Sequence, residues 1–232
     1  MAYGYSSLAG KFVIWGGLQL PTNYKNVGSI WNGSSWTTLP TPPTPLNPRS
    51  LMAFGVEGDY FVVWGGTDGA TQYNDGMYYK FSMNQSYDMA PSPLSPRFNA
   101  SSTMVNGKLL VWGGQDVVGN RFSDGALFDP VTNTWTTLSP SFPPPPLSEA
   151  MVTTDGQRIY FRGGRFDNVN NSSQTFMYDL ATNQWDALPF TNLPAGLTNG
   201  VFMNIGSQLL MIGGSDTFDF PTTNVRLLKP AP

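Results

Sequence analysis

Short apolar stretches alternate with turn residues along the whole chain, and five of these stretches end in two consecutive glycines. The five stretches are Phe12–Trp15, Tyr60–Trp64, Leu109–Trp112, Ile159–Arg162 and Leu209–Ile212. Each follows a glycine-containing turn, such as Asn106-Gly107 or Asp155-Gly156. Apolar runs of this length after a tight turn are typical of β-hairpins. The pattern therefore predicts an all-β fold with no helix longer than one turn.

The double glycines recur at intervals of 48 to 50 residues. Their first members are Gly16, Gly65, Gly113, Gly163 and Gly213. A second pair of predicted strands follows, with an aromatic residue in the outer strand of the first four repeats: Trp36, Tyr87, Trp135 and Trp185. Self-similarity at this period is typical of repeat proteins in which each repeat forms one small sheet. We expect a single domain, 1–232, with repeats at about 1–48, 49–96, 97–146, 147–196 and 197–232.

The order of apolar strand, Gly-Gly, Tyr-Asp, Asn-x-Trp and Pro-Arg resembles the kelch repeat. The best match is Met177-Tyr178-Asp179 with Asn183-Gln184-Trp185, and the resemblance covers essentially the whole chain. It implies a β-propeller of five kelch-type blades, each a sheet of four antiparallel strands. It also implies that Trp36, Trp135 and Trp185 pack between blades.

The fifth repeat departs from the pattern because its Trp position would fall beyond Pro232. We therefore expect a last blade of three strands that packs directly against the first blade. The alternative is an open ring that associates with another copy or with missing blades.

Composition excludes several classes of function. The chain has no His and no Cys, which excludes thiol chemistry, zinc–thiolate sites and the copper-radical chemistry of some kelch enzymes. Charged residues make up 12% and form no basic stripe, so nucleic-acid binding is not expected. We predict no cofactor, no metal site and no membrane span. Sparse charge favours an extracytoplasmic or secreted protein, although the first residues show no signal peptide.

The resemblance also suggests where a ligand would bind. In kelch propellers of ubiquitin-ligase adaptors, contacts lie where the inner strand opens and just after the double glycine. In this chain the residues where the inner strand opens are Arg49, Arg97, Asn99, Glu149 and Asn199. The residues just after the double glycine are Gln115 and Arg165. Arg49 and Arg97 could equally be structural. Arg162 and Arg165 break the repeat pattern, and we predict no catalytic residue.

The leading hypothesis is a non-catalytic binding or scaffold propeller. We expect it to be a monomer whose loop face binds a protein segment or a glycan. One alternative is a small sugar mutarotase or isomerase, similar to sialic-acid mutarotases, that uses Glu149. Another is a structural spacer within a larger surface protein. We interpret the proline run 143–146 as a crossing between blades, and the Asp-bearing loops as turns rather than calcium sites.

Overall fold

The computed structural model describes residues 1–189, 196–206, 208–218, 220–223 and 225–228. In this part of the chain the fold is all-β, with five antiparallel sheets and no helix that could cross a membrane. Four sheets have four strands and the last has three, which confirms the predicted fold class. We call the sheet of each repeat a blade and number the blades in chain order.

The strands follow the repeats closely. Blade 1 has β1 (Ala2–Ser6), β2 (Lys11–Gln19), β3 (Asn23–Trp31) and β4 (Trp36–Thr38). Blade 2 has β5 (Ala53–Glu57), β6 (Tyr60–Trp64), β7 (Gly76–Lys80) and β8 (Gln85–Asp88). Blade 3 has β9 (Ser101–Val105), β10 (Lys108–Trp112), β11 (Gly125–Asp129) and β12 (Thr134–Thr137). Blade 4 has β13 (Met151–Thr154), β14 (Arg158–Arg162), β15 (Thr175–Asp179) and β16 (Gln184–Leu188), and blade 5 has β17 (Val201–Ile205), β18 (Gln208–Ile212) and β19 (Val225–Leu228).

The chain forms two compact units. Unit 1 holds Met1–Val111, Asp116–Val118 and Ala126–Thr137, and unit 2 holds Trp112–Gln115, Gly119–Gly125 and Leu138–Pro232. That the repeats form a single domain remains a prediction. The first three proline-rich stretches lie between an outer strand and the next inner strand, as interpreted from the sequence. Most of the fourth, 190–194, lies outside the described residues.

The double glycine lies within β2 in blade 1 and directly follows the second strand in the other blades, and in the first four blades it bonds to the next repeat. The N–H of its second member donates to a carbonyl of the following repeat: Gly17 to Arg49 at 2.8 Å, Gly66 to Arg97 at 2.9 Å, Gly114 to Leu147 at 2.8 Å and Gly164 to Leu197 at 3.0 Å. All these glycines have positive φ, between 62° and 106°. A Cβ on Gly163 would overlap the Leu197 carbonyl. Glycine is therefore required by conformation and by close approach.

Successive side chains of the second strand point to opposite faces of the blade, and both faces pack against other blades. We number the positions of this strand backwards from the first glycine of the double glycine, which is position 0. The odd face of a blade carries positions −1 and −3, and the even face carries positions −2 and −4. In unit 1, odd-face Val13 and Trp15 pack in one buried cluster with even-face Phe61 and Val63 of blade 2. In unit 2, odd-face Tyr160 of blade 4 clusters with even-face Leu209 and Met211 of blade 5. Each observed core thus joins an odd face to the even face of the next blade.

The predicted packing of the outer-strand tryptophans is confirmed for two of three. The Trp135 ring lies 5.8 Å from that of Trp64, and the Trp185 ring lies 5.7 Å from that of Trp112. In both pairs the partner is the position −1 residue of the preceding blade. The prediction is wrong for Trp36, which is 50% exposed. Its ring neighbours, Phe12 and Trp31, belong to its own blade, because the even face of blade 1 meets no preceding blade within unit 1.

Replacing Gly163 with Ala tests the close approach. The matched control is Gly206→Ala, because Gly206 has nearly the same φ, 72° against 70°, but open space around a new Cβ. We expect Gly206→Ala to lose about 1 kcal/mol of unfolding free energy, the cost of a left-handed non-glycine residue. Gly163→Ala should lose at least about twice as much, because the chain must also move away from Leu197. Urea denaturation measures both, and equal losses would contradict the account.

The turn at Asp155 predicts sensitivity to acid. Burial alone would raise the pKa of Asp155, but hydrogen bonds from the Arg158 and Gln157 amides and the Tyr160 hydroxyl outweigh it, so the pKa lies below its ordinary value. The unfolded chain then binds the proton more readily, and stability falls as pH drops below about 4. Asp155→Asn should be less stable at pH 7 and lose less further stability in acid. The exposed Asp186→Asn is the control, and an unchanged acid profile for Asp155→Asn would refute the assignment.

Candidate functional site

The two sequence positions expected to contact a ligand are held side by side by backbone hydrogen bonds. Ser148 and Arg165 exchange N–H···O bonds of 3.0 and 2.7 Å, and Thr198 and Ser215 do the same at 3.0 and 2.8 Å. The pair Ser50 and Thr67 repeats the geometry in unit 1 at 2.8 and 2.9 Å. The residue that follows each of Ser50, Ser148 and Thr198 is therefore fixed beside the loop that leaves the double glycine.

That following residue has a left-handed backbone conformation in four repeats. It lies fourteen positions before the next double glycine and is Leu51, Asn99, Glu149 or Asn199, with φ between 54° and 60°. Asn tolerates this conformation, whereas Leu and Glu adopt it at a cost of order 1–2 kcal/mol. Sequence reasoning missed the conformation because Leu and Glu are not its usual residues.

In unit 2 these residues form a hydrogen-bonded group that we call the polar cluster: Gln115, Ser148, Glu149, Arg165 and Asn199. Arg165 Nε donates to Glu149 Oε2 at 3.2 Å, and Asn199 Nδ2 donates to the same oxygen at 3.3 Å. The Ser148 hydroxyl donates to Gln115 Oε1 at 2.9 Å. The Arg165 and Glu149 side chains are 13% and 16% exposed. The structure thus brings together four of the seven predicted site residues as a partly buried, preorganised surface.

Two of the other predicted residues, Arg49 and Arg97, are fully buried. Arg49 donates to the Gly65 carbonyl at 3.3 Å and to Asp75 Oδ2 at 3.2 Å, and its guanidinium lies 3.9 Å above the centre of the Tyr73 ring. Arg97 Nε donates to the Ser95 carbonyl at 3.0 Å. These contacts are structural, and a direct role in binding remains a prediction.

The internal repeats support the structural role of Arg49. Asp75, Asp124 and Gln174 occupy equivalent places, because each carbonyl accepts the N–H of the first glycine of its own repeat. The two repeats that begin with Arg49 and Arg97 have Asp at this place, whereas the repeat that begins with buried Leu147 has Gln174. A buried Arg at the start of a repeat therefore occurs together with an Asp at this place, in both the second and the third repeat.

The seventh predicted residue, Asn99, belongs to unit 1, where its N–H donates to the Leu51 carbonyl at 3.1 Å. Arg162, which the sequence marked as unusual, is 1% exposed and pairs across the sheet with Thr175. Burial lowers the pKa of Arg162 to about 10. Arg162 is therefore part of the interior of blade 4 rather than of the surface.

Exposed apolar side chains in the loops of unit 2 were missed by the sequence reasoning. We call Phe166, Val169, Phe218 and Phe220 the apolar loop residues, and Phe218 is 74% exposed. Phe166 directly follows Arg165, and Phe218 and Phe220 lie on the loop after Ser215. The available signal was the placement of large apolar residues beside turn-forming Asp167 and Asp216.

The Asp residues of these loops stabilise their own turns. Asp167 Oδ1 accepts the Val169 and Asn170 amides at 2.7 and 2.6 Å, and Asp216 Oδ1 accepts the Phe218 and Phe220 amides at 2.8 and 3.0 Å. Asp219, in one of the Asp-bearing loops interpreted from the sequence as turns, lies outside the described residues. Among the residues that are described, no three carboxylates are grouped as a metal site would require.

Comparison with known protein families assigns the repeats. A family model described as the KLHDC2/KLHL20/DRC7 Kelch-repeats domain matches residues 4–216. The matched region begins in β1 and ends just after the fifth double glycine, so it includes part or all of every blade. No individual curated protein matches the chain significantly.

The structural role of Arg49 can be tested by exchanging repeat-specific pairs. Asp75→Gln leaves a buried guanidinium without its carboxylate, and we expect a loss of about 2 kcal/mol. Arg49→Leu combined with Asp75→Gln reproduces the Leu147 and Gln174 pair of the fourth repeat, and should recover part of that loss. Chemical denaturation of both variants gives the comparison. A double variant less stable than Asp75→Gln would contradict the pairing.

Proposed function

The chain belongs to the kelch-repeat family, and we propose that it is a non-catalytic propeller whose polar cluster and apolar loop residues bind a segment of another protein. Family membership supports a protein-binding role. The specific surface is inferred from the contacts of unit 2. Loops on a rigid β-scaffold are common binding surfaces, because the scaffold fixes the side chains before the partner arrives.

The conformation of Glu149 is the observation that carries this proposal. Its φ is 60°, at a place where the third and fifth repeats have Asn99 and Asn199. A Glu in this conformation is less favourable than Asn, so the fold alone gives no reason for it. Its carboxylate instead orients Arg165 and Asn199. This orientation offers polar groups to a partner at little further cost in side-chain entropy.

The apolar loop residues favour a protein partner over a glycan. Phe166, Phe218 and Phe220 are 48–74% exposed, and Phe166 directly follows Arg165 of the polar cluster. Exposed aromatic residues beside a satisfied polar group are typical of protein interfaces, where they supply apolar contact area. We therefore expect a partner segment with apolar side chains flanking one or more polar groups.

Among the described residues no contact specifically favours the mutarotase alternative, because the Glu149 carboxylate accepts hydrogen bonds from two neighbouring side chains. The glycan partner, the spacer role and the extracytoplasmic location stay predictions from the sequence.

The proposal is tested by transplanting the fifth-repeat pair into the fourth repeat. Arg165→Ser with Glu149→Asn reproduces the Ser215 and Asn199 combination, whose backbone geometry the chain already supports. Peptides selected on an array with the intact chain should bind this variant at least about tenfold more weakly, a loss near 1.4 kcal/mol. Fluorescence polarisation with the labelled peptide gives the affinities.

The matched control makes the same exchange in unit 1. Thr67→Ser with Leu51→Asn changes the equivalent positions of the second repeat, and should leave peptide affinity nearly unchanged. Thermal melts should show both variants folded. If no peptide binds the intact chain, or if both double variants bind equally well, the proposed surface is wrong.

A further inference from the structure

Blade 5 is apolar on both faces. Its even face is buried in unit 2, where Phe202, Leu209, Met211 and Leu228 belong to the core. Its odd face is formed by two cross-strand rows, Val201–Ile212–Val225 and Met203–Leu210–Leu227. Five of these six residues are 39–58% exposed. The strands of an antiparallel sheet with one face in water normally alternate apolar and polar residues. The apolar residues on both faces of blade 5 therefore indicate a sheet whose two faces both pack against protein.

The fifth double glycine has the same conformation as the other four. Gly213 and Gly214 have φ of 65° and 100°. In earlier repeats the first glycine closely approaches a carbonyl of the following repeat, as Gly113 does with Leu147. Around Gly213 the nearest described atom to a new Cβ is the Thr222 carbonyl oxygen, at 3.6 Å. The double glycine of blade 5 therefore has the conformation that allows a further blade to pack against it.

The structure shows what covers an odd face. In unit 1 the odd faces of blades 1 and 2 pack against the even faces of blades 2 and 3. In unit 2 the odd face of blade 4 packs against the even face of blade 5. The occupant of the odd face of blade 5 should therefore be the even face of a kelch blade.

Blade 1 carries such an even face with exposed aromatic residues. Register places Tyr5, Phe12, Trp31 and Trp36 in one row across its four strands. Tyr5 and Trp36 are 60% and 50% exposed, and the row contains no charge. In blades 3 and 4 the residue equivalent to Trp36 packs on the position −1 residue of the preceding blade. In blade 5 position −1 is Ile212, which is 39% exposed.

We propose that the odd face of blade 5 in one copy of this chain packs against the even face of blade 1 in a second copy, with Ile212 against Trp36. The contact is head-to-tail, so each added copy again presents both kinds of face. Uncharged, apolar rows on both sides fit such a contact, because neither carries the charges that normally protect exposed sheets from association. This proposal differs from the monomer expected from the sequence, and that expectation stays a prediction.

Sedimentation velocity of the intact chain over a wide concentration range tests the proposal. The mean mass should rise above 25.3 kDa as concentration increases. Ile212→Lys alone and Trp36→Lys alone should each stay monomeric, because each lacks one half of the contact. Their mixture should form a one-to-one pair, since each variant still supplies the face that the other has lost.

The control is Val131→Lys, a 72% exposed apolar residue in the turn between β11 and β12, which should associate like the unmodified chain. Leu227→Lys, at a 52% exposed position of the same face, serves if Ile212→Lys fails to fold by circular dichroism. A chain that is monomeric at every concentration would overturn the proposal. So would an oligomer that survives both lysine substitutions, or variants that do not pair when mixed.

Discussion

One backbone hydrogen bond between successive repeats determines most of this structure. It runs from the second glycine of a repeat to the carbonyl sixteen residues before the next double glycine, and it occurs at Gly17, Gly66, Gly114 and Gly164. The bond requires positive φ at both glycines and no Cβ on the first. Because it brings two backbones into direct contact, it sets the distance at which the odd face of one blade meets the even face of the next.

The candidate site is a consequence of the same bond. Leu147 and Leu197 accept it, and the residues after them, Ser148 and Thr198, then pair with the loops that leave the double glycines. The next residue turns into the left-handed conformation and directs Glu149 or Asn199 beside those loops. A structural requirement of the repeat thus creates an equivalent position in each of four repeats. Under the proposed function, variation at these positions, such as Glu149 with Arg165, would change binding without changing the fold.

The sequence predicted the blades well because the double glycines and outer-strand aromatics are local features of each repeat. It failed for Trp36, since the burial of that residue depends on what meets the even face of blade 1. It could not separate buried Arg49 from partly exposed Arg165, because the partners of Arg49 lie on a different segment around Asp75. The shared occurrence of Arg and Asp in repeats two and three was the available signal, and it becomes meaningful once the register is known.

Hydrogen exchange resolved to single amides tests the central role of the inter-repeat bond most directly. If the bond holds successive blades in register, the amides of Gly66, Gly114 and Gly164 should exchange only through global unfolding, with the same free energy as denaturant unfolding. Exchange of these amides as fast as that of an exposed loop amide, such as that of Gly33, would contradict the account.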